Sequence, residues 1–364
     1  MLPAPPPRLG SRFQREINLP TVDEDACVHA LFDRAECKAC VDRCPREAWV
    51  LDEEMLGLDA DACDGCGICL PACPTGAIGL DIPWFLRRLG GRWIALLACE
   101  HSGVEDPSST LPCLHALTER HLLLLHGRGV RHLLTARGNC DECVRKGAEP
   151  FSLRLERLNR LLRERGGDEI RLLERGPSVW RKLHRQGEVS TGGAHLGRRA
   201  FLRGSLDGLR EQILAADPLN LAAARTIPPG ELLPAPRKKA DNLHWPWVVH
   251  FDTDRCNGCD ACIHLCPTGA LTFSKAAPPR KPSYRFSPSR CNGCGLCVSV
   301  CDNEAVRLDH HAVARSTEVE LAEHRCRRCG VPYHVPSGSP FAKERICPIC
   351  RRNDPTARLF QVID

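Results

Sequence analysis

Aromatic side chains make up only 5% of this chain of 364 residues, while Gly and Pro number 29 each. So little bulky apolar material does not fill one large core, and the length predicts two or three smaller domains. Long apolar runs are missing too. The longest, such as Trp93–Ala98 and Leu122–Leu125, fall far short of the roughly 20 residues a membrane-spanning helix needs. The opening residues MLPAPPPRLGSR are proline-rich and lack the apolar stretch of a secretory signal. Together these absences predict a soluble cytoplasmic protein. There is no Gly-x-Gly-x-x-Gly and no P-loop, and no Ser–His–Asp arrangement can be argued from the sequence.

What the chain has in abundance is cysteine, 24 residues of it. Sixteen fall into four runs. Three repeat one spacing: Cys63-x2-Cys66-x2-Cys69-x3-Cys73-Pro74, Cys256-x2-Cys259-x2-Cys262-x3-Cys266-Pro267, and Cys291-x2-Cys294-x2-Cys297-x3-Cys301. The fourth is looser, with Cys27 well ahead of Cys37-x2-Cys40-x3-Cys44-Pro45. A disulfide framework belongs to small secreted domains, and structural zinc does not repeat this pattern four times. The spacing is that of thiolates wrapped round a cubane iron–sulfur cluster.

These runs resemble bacterial two-cluster 4Fe–4S ferredoxins, present twice. The resemblance implies crossed ligation, in which the fourth thiolate of each run serves the other cluster of its pair. Cluster one then takes Cys27, Cys37, Cys40 and Cys73, and cluster two takes Cys63, Cys66, Cys69 and Cys44. Cluster three takes Cys256, Cys259, Cys262 and Cys301, and cluster four takes Cys291, Cys294, Cys297 and Cys266. Cys27 is displaced from the expected place three residues before Cys37, and Asp302 replaces the proline after Cys301. Pro74-Thr-Gly-Ala-Ile78 and Pro267-Thr-Gly-Ala-Leu271 read as tight turns leading into short strands. Glu47-Ala-Trp49 and Glu304-Ala-Val306 are divergent versions of the same turn. Short hairpins are expected near Trp49–Leu58 and Leu271–Phe286, giving two small strand pairs per module.

The formal charge of +5 counts cysteine as neutral. Each cubane with four thiolates adds about −2, so four of them bring the chain to about −3. The basic pI is therefore weak support for nucleic-acid binding. Positive charge gathers between about Arg137 and Lys239, which suits an acidic partner surface or simply a solvated helical face.

Eight cysteines remain. Cys326-x2-Cys329-Gly330 and Cys347-Pro348-x-Cys350 read as the two knuckles of a zinc ribbon, with mononuclear iron as the alternative. Cys99, Cys113, Cys140 and Cys143 lie in a strand–helix–strand pattern, with strands at Trp93–Ala98 and Val130–Ala136 and a helix over Leu114–His126. That pattern predicts a parallel α/β unit with its cysteines near the strand C-termini. Leu-Ala-Cys99, Leu-Pro-Cys113-Leu and Asn139-Cys140-x2-Cys143 resemble the delta-type iron–sulfur subunits of heterodisulfide reductases and hydrogenases, which implies a 2Fe–2S cluster. The competing reading is buried or free thiols. His101 and His115 are nearby candidate ligands.

The expected fold class is α+β: a flexible arm over 1–25, dicluster modules over 26–82 and 248–312, and the α/β unit over 92–150. A helical, Gly/Pro/Arg-rich linker spans 151–240 and a zinc-ribbon-like lobe spans 320–355. Within the linker, residues 151–175 read as amphipathic, with Leu155, Leu158 and Leu162 on one face. Arg198-Arg-Ala-Phe-Leu202 is similar to a twin-arginine export motif, but it is internal and no apolar stretch follows. The region from about 195 to 310 also resembles nitrate-reductase accessory ferredoxins. The order of elements resembles polyferredoxins associated with molybdenum formate dehydrogenases. That implies a single-electron carrier serving a larger dehydrogenase or reductase, with no nucleic-acid partner. The alternatives are a catalytic centre at the middle cysteines and a maturation or accessory factor for a metalloenzyme.

Overall fold

A computed structural model describes residues 19–52, 56–106, 108–145, 149–186, 188–192, 225–237, 242–275 and 281–353. The Arg198–Leu202 motif lies outside them. The chain divides into two compact units, residues 1–33 with 37–240 and residues 34–36 with 241–364. Among the described residues, no helix is long and apolar enough to cross a membrane.

In the first unit two small antiparallel pairs flank the cysteine runs. Strand β1 (Thr21–Val22) is part of one; strands β2 (Trp49–Leu51) and β3 (Leu56–Leu58) form the other. The partner of β1 is β4 (Ile78–Gly79), in the register Thr21↔Gly79 and Val22↔Ile78. Of the arm expected over 1–25, residues 1–18 lie outside the described residues, and the part from Thr21 onward is structured. From Thr21 the chain is paired, and Glu24–Ala26 forms a 3-10 turn.

A second body in this unit is a mixed six-stranded sheet. Its strands are β5 (Trp84–Leu89), β6 (Arg92–Cys99), β7 (Thr110–Leu111), β8 (His132–Ala136), β9 (Arg171–Glu174) and β10 (Glu188–Gly192). The order is β10-β5-β6-β8-β9, with β7 beside the end of β6. Strands β6, β7, β8 and β9 run parallel, while β5 and β10 are antiparallel to their neighbours. The β5–β6 hairpin turns on Gly90 and Gly91 at φ 55° and 78°. Two successive left-handed residues are what a two-residue hairpin requires, and glycine adopts them without strain.

Both crossovers step the same way along β6-β8-β9. The right-handed rule therefore puts their helices, Glu119–Gly127 and Phe151–Glu164, on one face. The Pro177–His184 helix covers the other, where Trp180 packs with Phe85, Leu96, Ala98, Leu134 and Ala136. Burial on both sides explains the near-continuous apolar strands IALLA and HLLTA.

Two expectations shift here. The helix expected from Leu114 starts at Glu119. Thr118 caps it: its side chain accepts the His121 N–H, while His121 Nδ1 accepts the Thr118 N–H. This box ends the preceding turn at Leu117, which is extended. The amphipathic segment expected over 151–175 stops at Glu164, and Arg171–Glu174 joins the sheet.

In the second unit, strands β11 (His244–Phe251) and β14 (Val306–Val313) pair along their length. Strands β12 (Leu271–Ser274) and β13 (Ser283–Phe286) form a hairpin. Strand β15 (Glu318–Arg325) adds to β13 and then pairs with β16 (Pro332–Pro336). The C-terminal knuckles thus grow out of a four-stranded sheet shared with the cluster module. The core here is built partly from thiols: Cys291 and Cys297 are buried among Val248, Val249, Leu271, Phe286 and Val306.

The divergent turns keep the backbone of the well-kept ones. Gly76 and Gly269 have φ 76° and 60°; Glu47 and Glu304, in the matching places, have φ 52° and 49°. In all four the N–H donates to the carbonyl of the cysteine three residues earlier. A left-handed glutamate costs about 1–2 kcal/mol, offset in part by the chain entropy a glycine would lose. Glu47→Gly is therefore expected to stabilise the loaded protein by about 0.5–1 kcal/mol, read from the midpoint of an anaerobic denaturant titration.

Candidate functional site

The cysteine runs sit in short helices and the turns that follow them. Ala39–Arg43, Cys69–Ala72, Ala261–His264 and Leu296–Ser299 are each one helical turn. Each places two thiols a turn apart or hands on to the fourth cysteine. Glycines at Gly65, Gly67, Gly258, Gly293 and Gly295 adopt left-handed φ, which lets the backbone wrap inward.

The thiols of each module lie close to one another. Burial raises the Cys27, Cys37 and Cys40 thiols, and in each the nearby Cys73 sulfur adds to the rise. Burial also raises Cys63, which lies near Cys44, and Cys69, which lies near Cys66, Cys63 and Cys40. In the second unit Cys256 and Cys262 face Cys259 and Cys301. Cys291 lies near Cys294 and Cys266, and Cys297 near Cys294, Cys291, Cys262 and Cys266. A cavity of about 320 Å³, its open mouth included, is lined by Cys266, Cys291, Cys294 and Cys297 together with Val249, Leu271 and Leu308. Three of those thiols come from one run and the fourth from the other.

Cys27 reaches its place through pairing rather than spacing. The β1–β4 pair and the Asp23 N–H to Ala77 carbonyl bond tie the Thr21–Asp23 segment to the chain just after Cys73. His29 Nε2 lies 2.8 Å from the Cys37 carbonyl and closes the excursion between Cys27 and Cys37.

Hydrogen bonds to sulfur recur at the fourth cysteines. The Ala48 N–H donates to Cys44 Sγ at 3.3 Å, Leu271 N–H to Cys266 Sγ at 3.5 Å, and Ala305 N–H to Cys301 Sγ at 3.2 Å. Thr75 Oγ1 lies 3.5 Å from Cys73 Sγ. The Trp49 indole N–H serves Cys69. Such donors favour the electron-rich state of a thiolate-bound cluster. Burial pushes Cys40, Cys66, Cys262 and Cys291 up to about 12 and Cys256 to about 11. A soft metal group that binds here must displace those protons, so the donor set suits iron–sulfur binding coupled to folding.

Sequence reasoning missed the buried arginines. Arg120 donates to the Pro74 and Ile227 carbonyls, both at 2.7 Å. It thereby holds residues 225–237, expected as linker, against the turn after Cys73. Arg225 completes that contact with an ion pair to Asp23 at 3.1 Å. Isolated arginines carry no spacing signal, and their partners are distant in sequence.

The middle cysteines gather at the C-terminal ends of the parallel strands. Cys99 ends β6, Cys113 follows β7, and Cys140 and Cys143 follow β8. The Gly138 N–H donates to Cys99 Sγ at 3.3 Å. Burial pushes Cys113 up to about 11, with Cys99 and Cys143 among its charged neighbours. Cys140 Sγ lies 3.9 Å from the Gly138 carbonyl. One candidate histidine has a ring partner of its own. His115 Nδ1 accepts the Phe151 N–H at the start of a helix, and the His101 backbone packs against Gly138.

At the C-terminus, the sulfurs of Cys326, Cys329, Cys347 and Cys350 all lie within 4.8 Å of one another. Cys329 and Cys347 are 3.8 Å apart, the edge of a tetrahedron with metal–sulfur bonds of about 2.3 Å. Backbone N–H groups of Cys347 and Cys329 draw the Cys326 thiol down to about 6.

Comparison with known proteins accords with this arrangement. Two 4Fe-4S dicluster domains match, over residues 35–78 and 255–305. An uncharacterised ferredoxin of Methanocaldococcus jannaschii is 35% identical over 54 residues, 15% of this chain and 87% of that protein. Ferredoxin-1 of Caulobacter vibrioides is 34% identical over 74 residues, 20% of this chain and 58% of the relative. The ferredoxin-type protein NapF of Haemophilus influenzae is 40% identical over 53 residues, 13% of this chain and 30% of NapF. With two dicluster domains, and a relative matched over most of its length, the chain belongs to the ferredoxins, the iron–sulfur electron carriers.

Proposed function

We infer that the chain relays single electrons through four 4Fe–4S clusters to or from a larger redox enzyme. The observation that carries this reading is the cavity bounded by Cys266, Cys291, Cys294 and Cys297, which unites thiols of two runs round one space. The same crossing assigns Cys27, Cys37, Cys40 and Cys73 to one cluster, and Cys63, Cys66, Cys69 and Cys44 to its neighbour. Cys256, Cys259, Cys262 and Cys301 hold the remaining one. When bound, such clusters accept and release one electron at a time. The chain's own part is to supply thiolates, exclude water and aim N–H groups at sulfur, which sets each potential.

Cys326, Cys329, Cys347 and Cys350 hold a single zinc with a structural role, because a closed four-thiolate cage leaves no open position. Cys99, Cys113, Cys140 and Cys143 hold a 2Fe–2S centre. The specific support is their convergence at one sheet end, where Cys113 packs with Cys66 and Ile68 in an apolar cluster. The partner is an oxidoreductase of the molybdenum formate dehydrogenase kind, in the cytoplasm.

Anaerobic purification with iron, zinc and acid-labile sulfide analysis tests the set. About eighteen irons and one zinc per chain are expected, sixteen of the irons in cubanes. Sixteen irons would remove the middle centre from the scheme, and eight or fewer after full reconstitution would sink the four-cubane reading.

A further inference from the structure

One buried side chain joins the Cys63–Cys66 loop to the middle cysteines. Arg145 is 7% exposed. Its Nε donates to Asp64 Oδ2 at 2.9 Å. One terminal nitrogen donates to Glu100 Oε2 at 3.1 Å and to the Pro112 carbonyl at 2.5 Å. The other lies 3.5 Å from the Asp64 carbonyl. Asp64 stands between Cys63 and Cys66, Glu100 follows Cys99, and Pro112 precedes Cys113. Every arm of the guanidinium ends on a residue next to a thiol. Asp64 is itself fixed from the other side, since its Oδ1 accepts the Cys66 N–H at 3.2 Å.

The geometry points to Arg145 as a positioning residue that sets the reduction potential of the cluster held by Cys63, Cys66, Cys69 and Cys44. This rests on the cluster assignment proposed above. An electron added at that site makes it one unit more negative, and a fixed cation beside it favours the addition. A surface ion pair would be screened and contribute little. This cation is out of solvent, where charges act over longer range. Asp64 acts in the opposite sense, so the pair holds the potential at a balance. The fork of an arginine spreads its donors over four acceptor atoms on three residues, whereas an ammonium holds its donors at one point, so lysine restores the charge without the full set of contacts.

The test uses the full-length loaded chain, carrying Arg145→Gln, Arg145→Lys or Asp64→Asn, in an EPR-monitored redox titration alongside iron analysis. Arg145→Gln is expected to lower the potential of one cubane, shifting its reduction equilibrium about tenfold, or about 59 mV for one electron. The other three cubanes and the iron content stay as they were, while the centre at the middle cysteines, which flanks the same cation, moves in the same direction. Arg145→Lys restores at least half of the shift, and Asp64→Asn raises the potential of the same cluster. If the reduction equilibrium of every cluster stays within a factor of two of the parent, the inference is overturned. It is equally overturned if every cluster moves together, or if lysine behaves as glutamine does. Should Arg145→Gln fail to load, Arg145→Lys and Asp64→Asn decide, and no opposite movement of one cluster in the latter overturns it. Failure of the underlying assignment would show separately, as too little iron in the unmutated protein.

Discussion

Replacing Cys44 by alanine is expected to lower the iron content by about four atoms per chain, and the cluster lost is the one gripped by Cys63, Cys66 and Cys69 rather than by its own neighbours Cys37 and Cys40. Cys44 follows the Ala39–Arg43 helical turn in an extended conformation. There it faces Cys63 and accepts the Ala48 N–H. Cys73 does the reverse and faces Cys27, Cys37 and Cys40. Double variants read the crossing directly. Cys44→Ala with Cys63→Ala removes no more iron than either alone, because both strike one cluster. Cys44→Ala with Cys37→Ala removes about eight atoms, because they strike two. Iron and acid-labile sulfide in anaerobically reconstituted protein measure both. The opposite pairing, with the Cys44 and Cys63 losses adding, would show that ligation is not crossed. The loss should be complete rather than partial. Thiols that burial drives up to about 12 are protonated unless metal holds them. An incomplete set has little to offset that cost.

Gly258→Ala is expected to destabilise the second unit by about 2–5 kcal/mol, from a left-handed alanine plus an unrelieved clash. Gly258 has φ 71°, and a Cβ there would lie 2.0 Å from the His334 carbonyl oxygen and 3.2 Å from Val335 Cα. Both obstacles are backbone of β16, so neither can swing aside as a side-chain tip would. Ring contacts on the same face fix the position: Tyr284 Oη donates to Asp260 Oδ1 at 2.5 Å, and His334 Nε2 lies 2.9 Å from the same oxygen. Gly295→Ala is the control. Its φ is 78° but nothing lies within 4 Å of the added carbon, so about 1–2 kcal/mol is expected from conformation alone. An anaerobic denaturant titration following cluster absorbance separates the two. Equal midpoints for the two variants would mean that the close packing of β16 on the Cys256–Cys259 loop contributes nothing.

The spacing of the cysteines determined the dicluster modules, because iron–sulfur chemistry demands several thiols within one or two turns of backbone, and that demand is local. Local demands also placed both expected hairpins and strands β6 and β8, whose apolar runs announce burial on two faces. Only the tertiary structure decided the rest. Cys27 has no spacing of its own and is brought in by the pairing of Thr21–Val22 with Ile78–Gly79. Glu47 and Glu304 look like lost turns in the sequence, yet the surrounding fold holds them left-handed. The Gly90-Gly91 pair is a hairpin signal that the sequence itself carries for β5 and β6. Arg120 and Arg145 were not legible at all. Their charge tells of a solvated surface until the chain folds and closes over them, and their partners lie from 33 to 107 residues away. The sequence by itself thus determined the two 4Fe–4S dicluster domains. The tertiary structure decided which fixed charges and backbone donors surround them, since those act through space and leave no periodic trace in the chain.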